Sequence, residues 1–304
     1  MVRTRDVFLF VLLSLLWGLS FPAISVGLEY IPPLLFAAFR YDVAAVVMLT
    51  YAIFISRDGY PRGRNNHLAI LGGGLFLVAG NGLLFMGQQT VPSGVAAMLQ
   101  GLVPIVTAVW ALVLLGERLS LLGTVGVGLG FLGVSLVIQP DPNNLLAGDT
   151  AGRLLIVGQI LSVSLGGVIV QRARPTMGRV SLTGWSMFVG AVVLHLLSLG
   201  AGEVPGSELT TPTAVGAVLY LGVFSTAIAF YIFYYILESY GAFQTSLVTY
   251  LIPIVATSVG VFVLNESINW LSYAGFGLVA FGFVLLKRET IVEAVREVPV
   301  AVRP

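Results

Sequence analysis

The chain has 304 residues, of which 57% are hydrophobic and 10% charged, with a formal net charge of +1 and a mean hydropathy of +0.98. Soluble domains carry roughly 25% charged residues, so the composition excludes an ordinary soluble enzyme or a nucleic-acid-binding module and implies an integral membrane protein. With no cysteine, disulfides, thiolate metal sites and cysteine nucleophiles are excluded as well.

A membrane-spanning helix needs about 20 mostly apolar residues. Ten such runs follow one another at 7–27, 33–55, 68–89, 93–115, 120–138, 152–171, 180–200, 213–236, 241–264 and 270–287. They are continuous rather than alternating in segments of about ten, which excludes a β-barrel and predicts an all-α membrane protein. The first run is too long for a signal-peptide core and carries Trp17 and Ser20. The second reads FAAFRYDVAAVVM from Phe36 and holds two charges, Arg40 and Asp42. Two positions apart on a helix is about 200°, so the two point opposite ways and each needs its own partner. Ionisable residues at membrane depth are functional candidates: Arg40 for architecture or gating, Asp42 for binding a coupling proton.

The third run carries Asn81, the fourth Gln100 and Pro104. In the fifth, GLGFLG at Gly128 to Gly133 matches a dinucleotide-binding pattern, but no strand precedes it, and close helix packing explains it better. The acidic, proline-bearing stretch around QPDPNN reads as a linker. The sixth run carries Gln159, Ser162 and Ser164, the seventh His195, the eighth Ser225, Thr226, Tyr231 and Tyr234, and the ninth Tyr250 and Pro253. A mid-helix proline frees the carbonyl four residues earlier. Those carbonyls belong to Gln100 and Thr249, and at membrane depth they must be covered by protein or face a water-filled cavity. The tail, 288–304, is mixed in charge and reads as a cytoplasmic segment, either a short surface helix or disordered.

Thirteen of the fifteen Lys and Arg residues fall on one side of this topology; the exceptions are Arg153 opposite and Arg40 inside a span. By the positive-inside rule both termini are cytoplasmic, placing the protein as a multi-pass component of the cell membrane.

The segment PIVTAVWALVLLGERLSLLGTVGVGLGFLG from Pro104 aligns with PIVATSVGVFVLNESINWLSYAGFGLVAFG from Pro253 at a constant offset of 149 residues. Glu117 then meets Glu266, and Gly126, Gly128 and Gly133 meet Gly275, Gly277 and Gly282. Two five-span halves, 1–140 and 145–287, must therefore enter the membrane in opposite senses. Inverted repeats of this kind are built by secondary transporters, with the substrate bound between the halves.

WGLSFPAISVGLEYIPPLLFAAFR and GQQTVPSGVAAMLQGLVPIVTAVWALVLLGERLS resemble the EamA-type family of the drug/metabolite transporter superfamily, across about residues 7–287. The resemblance implies ten helices in two inverted repeats around a central cavity, and export of small metabolites such as amino acids without ATP hydrolysis. Arginine is common in that family at the position of Arg40. The sixth span, SVSLGGVIVQRAR, lacks the tryptophan often found there.

The combined expectation is a secondary transporter, an exporter by what the resemblance implies, of a small neutral or zwitterionic metabolite. Its substrate would be held by Trp17, Ser20, Asn81, Gln100, Ser162, Thr226, Tyr231 and Tyr250. Arg40 and Asp42 would couple or gate, and Pro104 and Pro253 would break their helices. Partners are the solute, membrane lipids and protons; no cofactor, metal or catalytic group is expected. A passive channel and, less well supported, a lipid-handling intramembrane enzyme are the alternatives.

Overall fold

The computed structural model describes residues 4–55, 59–139, 148–246 and 248–289. The expected surface helix of the tail lies outside the described residues beyond Glu289, as does most of the QPDPNN linker. Ten apolar helices are present: α1 (Arg5–Gly27), α2 (Pro33–Ile55), α3 (Arg64–Gly87), α4 (Ser93–Leu115), α5 (Leu121–Ile138), α6 (Asp149–Ala173), α7 (Arg179–Gly200), α8 (Pro212–Tyr240), α9 (Val248–Phe262) and α10 (Trp270–Leu286). Eight are long and apolar enough to cross a bilayer; α9 and α10 are shorter. Among the described residues there is no strand.

The largest boundary difference from expectation falls between α8 and α9. Helical structure runs on from α8 to Ser246 and resumes at Val248, whereas the composition places the break near 237–240. No proline stands there, and the Gly241 that follows is tolerated within a helix at a cost of about 1 kcal/mol.

Several helices are irregular at mid-depth. Residues Gly73–Val78 of α3 are wound as a π-helix, followed by a 3₁₀ turn at Ala79–Asn81; Tyr220–Ile228 of α8 is also π, and Gln100–Leu102 of α4 is 3₁₀. Such segments change the rotational phase of everything beyond them. The 3₁₀ turn in α4 also resolves Pro104. The Gln100 carbonyl that the proline would orphan is taken by the Val103 N–H, and Pro104 sits in the first turn of the following helical segment, where its missing donor is harmless. The expectation of an unpaired Gln100 carbonyl is corrected accordingly.

Two turns at the 149-residue offset share their local structure. Gly116 and Asn265, 149 residues apart, both adopt left-handed backbone, φ 72° and 55°. Each is followed by a backbone bond that reaches back six residues to close the helix, Glu117 N–H to Ala111 O at 3.4 Å and Glu266 N–H to Gly260 O at 2.9 Å. Ser120 and Asn269, at the same offset, then cap the N-termini of α5 and α10 through their side chains.

These two helices pack against each other at the backbone. A Cβ on Gly126 would meet Gly282 O at 2.3 Å, and one on Gly133 would meet Gly275 O at 2.5 Å. Gly126 thus touches the counterpart of Gly133, and Gly133 the counterpart of Gly126. That reciprocity is the signature of a two-fold contact between antiparallel elements. Gly128 and Gly277 face open space instead.

Candidate functional site

A cavity of about 310 Å³ is walled by α1, α2, α3, α4, α6, α7, α8 and α9. Its lining reaches Val170, Leu182 and Thr249, each within a turn of a helix end on the side of the termini.

On the opposite side two carboxylates, Glu203 and Glu266, tie helices together. Glu203 accepts the N–H groups of Leu34 and Leu35 at 3.1 and 2.8 Å, plus the Ser198 hydroxyl at 2.8 Å. Glu266 accepts the Ser93 N–H and hydroxyl, both at 2.9 Å, and the Gly94 N–H at 3.4 Å. These are the free donors of the first turns of α2 and α4, where a carboxylate also complements the helix dipole. Below them the Gln88 amide donates to Phe21 O at 3.1 Å and Ser25 Oγ at 3.3 Å, pinning α3 to α1. Arg153, the basic residue on this side, is spent structurally: it donates to Val137 O and Ile138 O at the end of α5 and pairs with Asp149.

Five of the expected residues share the cavity wall: Trp17, Ser20, Arg40, Asn81 and Gln100. Trp17 meets Phe230 and Phe233 of α8 at ring separations of 5.8 and 5.4 Å, forming an aromatic side. The carboxamides form the polar side: Gln100 Nε2 donates to Gln159 Oε1 at 2.9 Å, Gln159 Nε2 to Asn81 Oδ1 at 3.2 Å, and Asn81 Nδ2 to Leu77 O at 2.7 Å. The irregular winding of α3 offers Leu77 O to that side chain. Gln159 is 2% exposed; the sequence marked it only as one polar residue among many in its span, and its bridging role needed the fold.

The structure places the other expected residues elsewhere. Ser162 donates to Phe76 O at 2.8 Å and fits against Gly80, where a Cβ would meet its hydroxyl at 2.5 Å; it fastens α6 to α3. Thr226 is fully buried behind Arg40, accepting from its Nε at 2.9 Å and donating to Leu221 O at 2.6 Å. Tyr231 is 52% exposed and packs edge-on with Tyr51 in an outward groove with Val47, Met48 and Val180. The π stretch ahead of it turns Tyr234 to the cavity instead, where it contacts Thr183. Tyr250 lies against Phe283 and Phe276, and its buried hydroxyl has no hydrogen-bond partner among the described residues. Pro104 and Pro253 do not line the cavity, though Gln100 and Thr249, four residues before each, do.

Arg40 and Asp42 do point opposite ways. Arg40 is 8% exposed on the cavity wall, under the rings of Tyr41 and Phe85 at 5.2 and 5.9 Å. Asp42 turns to α7, where its carboxylate lies 2.7 Å from His195 Nε2. Near the termini a separate cluster joins α1 to α8: buried Asp6 accepts from the Tyr235 and Tyr240 hydroxyls, with Arg5 alongside. Among the described residues no group of acidic and histidine side chains could hold a metal ion.

Comparison with known proteins is consistent across three measures. The model of the EamA-like transporter family matches twice, at residues 4–139 and 150–288. The uncharacterized inner membrane transporter YedA of Escherichia coli strain K12 is 29% identical over 278 residues, covering 90% of this chain and 88% of that protein. A probable amino-acid metabolite efflux pump of Salmonella typhimurium is 26% identical over 290 residues, covering 92% and 94%. A crystal structure that is 20% identical, with a TM-score of 0.63 over 97% of this chain, shares the fold.

Proposed function

The chain belongs to the EamA-like transporter family, a multi-pass membrane transporter and not an enzyme, and from that premise we propose that it exports a small zwitterionic metabolite by alternating access. The family model's two matches and the reciprocal glycine contacts of α5 and α10 support two inverted repeats, 1–140 and 145–287, and the bias of Lys and Arg to one side supports cytoplasmic termini. The likeness to a probable amino-acid metabolite efflux pump supports both the outward direction and an amino-acid-like solute.

The observation that carries the reading is an asymmetry between equivalent residues. Glu266 clamps the first turn of α4, while Glu117, its counterpart at the other membrane face, is exposed and its side chain makes no hydrogen bond among the described residues. The halves are alike in local structure yet differ in contact, as a two-state inverted repeat requires: one face closed, the other open. This state is the inward-open one. In the opposite state Glu117 takes up the cytoplasmic clamp and the Glu266 clamp is released.

Protons are the coupling ion in this reading, bound at the Asp42–His195 pair, a carboxylate and an imidazole in contact between α2 and α7. The test is flux in proteoliposomes over an amino-acid panel, with and without a proton gradient. Saturable counterflow is the expected outcome. Flux that rises linearly with concentration and shows no counterflow would identify a channel and overturn the proposal.

A further inference from the structure

Arg40 is a buried cation whose partners account for only part of its bonding capacity. A guanidinium carries five donors in a planar fork and cannot be deprotonated in a protein. The Nε–H is committed to Thr226 at 2.9 Å. Because the Thr226 hydroxyl donates its own hydrogen to Leu221 O, its oxygen is left as an acceptor and the arginine is fixed in angle. Tyr41 and Phe85 hold it from the sides. The terminal nitrogens make no hydrogen bond among the described residues, and the residue lies on the cavity wall.

A buried charge is stable only when paired or hydrogen-bonded, yet the ion pairs among the described residues are Arg5–Asp6, Arg153–Asp149, Arg179–Glu238 and Asp42–His195. Arg40 is in none of them. Asp42, the acidic residue nearest in sequence, is turned away to α7. A planar fork, locked in orientation and unpaired inside a cavity, is complementary to a carboxylate, which it binds through two parallel bonds.

We infer that Arg40 is the carboxylate anchor of the transport site and selects for solutes carrying one carboxylate. The inference rests on the transporter reading and sharpens it. A strictly neutral solute leaves the guanidinium unpaired, and a dianion brings a second charge for which the described cavity wall has no cation. The other end of the solute faces the Gln100–Gln159–Asn81 amides and the Trp17 face, which accept an ammonium or a neutral polar group alike. Thr226 is a positioning residue, acting through Arg40.

The experiment uses the full chain in two settings. In detergent, thermal stabilisation is measured with L-alanine, L-leucine and L-phenylalanine, with their primary amides, which keep the side chain and lose the carboxylate, and with succinate as a dianion. Counterflow of the three amino acids is then measured in proteoliposomes. Wild type is expected to be stabilised by at least one of the acids, with a midpoint about ten- to a hundredfold below that of its amide and of succinate, the range set by a charge-assisted pair of bonds. In Arg40→Gln the preference for the acid over its amide is lost. In Thr226→Val it is reduced, with fold and amide binding retained, which guards against a variant that merely misfolds. Equal stabilisation by acids and amides in wild type, stabilisation by none of them, or an acid preference that survives in Arg40→Gln, overturns the anchor. Carboxylate-selective stabilisation without counterflow leaves the anchor standing and sinks the transport reading.

Discussion

The Asp42 carboxylate and His195 Nε2 meet at 2.7 Å between α2 and α7, with side chains 44% and 35% exposed, and they do so outside the cavity. Phe39 packs edge-on against the imidazole at 5.7 Å. In the proposed coupling role this pair would act through the packing of α2 on α7 rather than by touching substrate. Asp42→Asn is therefore expected to abolish stimulation of flux by an imposed proton gradient while leaving counterflow at equal pH. Parallel measurement of both fluxes in proteoliposomes checks this. Retained gradient stimulation would remove Asp42 from the coupling step.

The Glu266 clamp predicts a shift in accessibility. Replacing Glu266 with Ala strands the Ser93 and Gly94 donors, and an unsatisfied buried donor costs about 1–3 kcal/mol. In an equilibrium poised within a few kcal/mol, that is enough to change which face is open. Because the chain has no cysteine, a single Ser20→Cys on the cavity wall is a clean reporter. Its labelling by a membrane-impermeant thiol reagent from outside should rise about tenfold or more in the Glu266→Ala background. An unchanged labelling rate would argue that Glu266 only tidies a turn.

Glycines of one motif should respond oppositely. Gly133→Val and Gly282→Val drive side chains into the Gly275 and Gly126 carbonyls, an overpacking worth about 1–3 kcal/mol or more. Gly128→Ala and Gly277→Ala enter open space and should be neutral within about 0.5 kcal/mol. Thermal unfolding in detergent separates the two classes, and equal tolerance at all four positions would contradict the close approach of α5 and α10.

The amide chain predicts a split between binding and stability. Gln159→Leu unpairs both Gln100 and Asn81 and is expected to raise the KM for counterflow about tenfold. Ser162→Ala removes a tether between α6 and α3 outside the cavity lining and should lower the melting temperature by a few degrees with KM unchanged. A KM effect at Ser162 equal to that at Gln159 would place Ser162 in the site after all.

Much of this protein is decided segment by segment, and that part was readable in advance. Whether a run crosses a bilayer depends on its own transfer free energy and length, so the ten helices, the membrane class and the 149-residue repeat followed from residue type and spacing alone. The same locality holds for the turns at Gly116 and Asn265 and for the caps at Ser120 and Asn269, each closed by residues within a few positions. The opposite facing of Arg40 and Asp42 is likewise a matter of helical geometry.

The functional surface was not local, and only tertiary structure decided it. Which polar side chain reaches the cavity depends on helix rotation. The π and 3₁₀ segments of α3, α4 and α8 alter that rotation by amounts no regular period anticipates, so Tyr234 takes the place expected for Tyr231. It depends as well on partners far away in sequence, which turn Ser162 into a tether, Thr226 into a brace for Arg40, and Gln159 into the bridge between Gln100 and Asn81. The lipid-facing composition of a span is set by what surrounds it everywhere, whereas a cavity is set by the few places where neighbouring helices fail to touch.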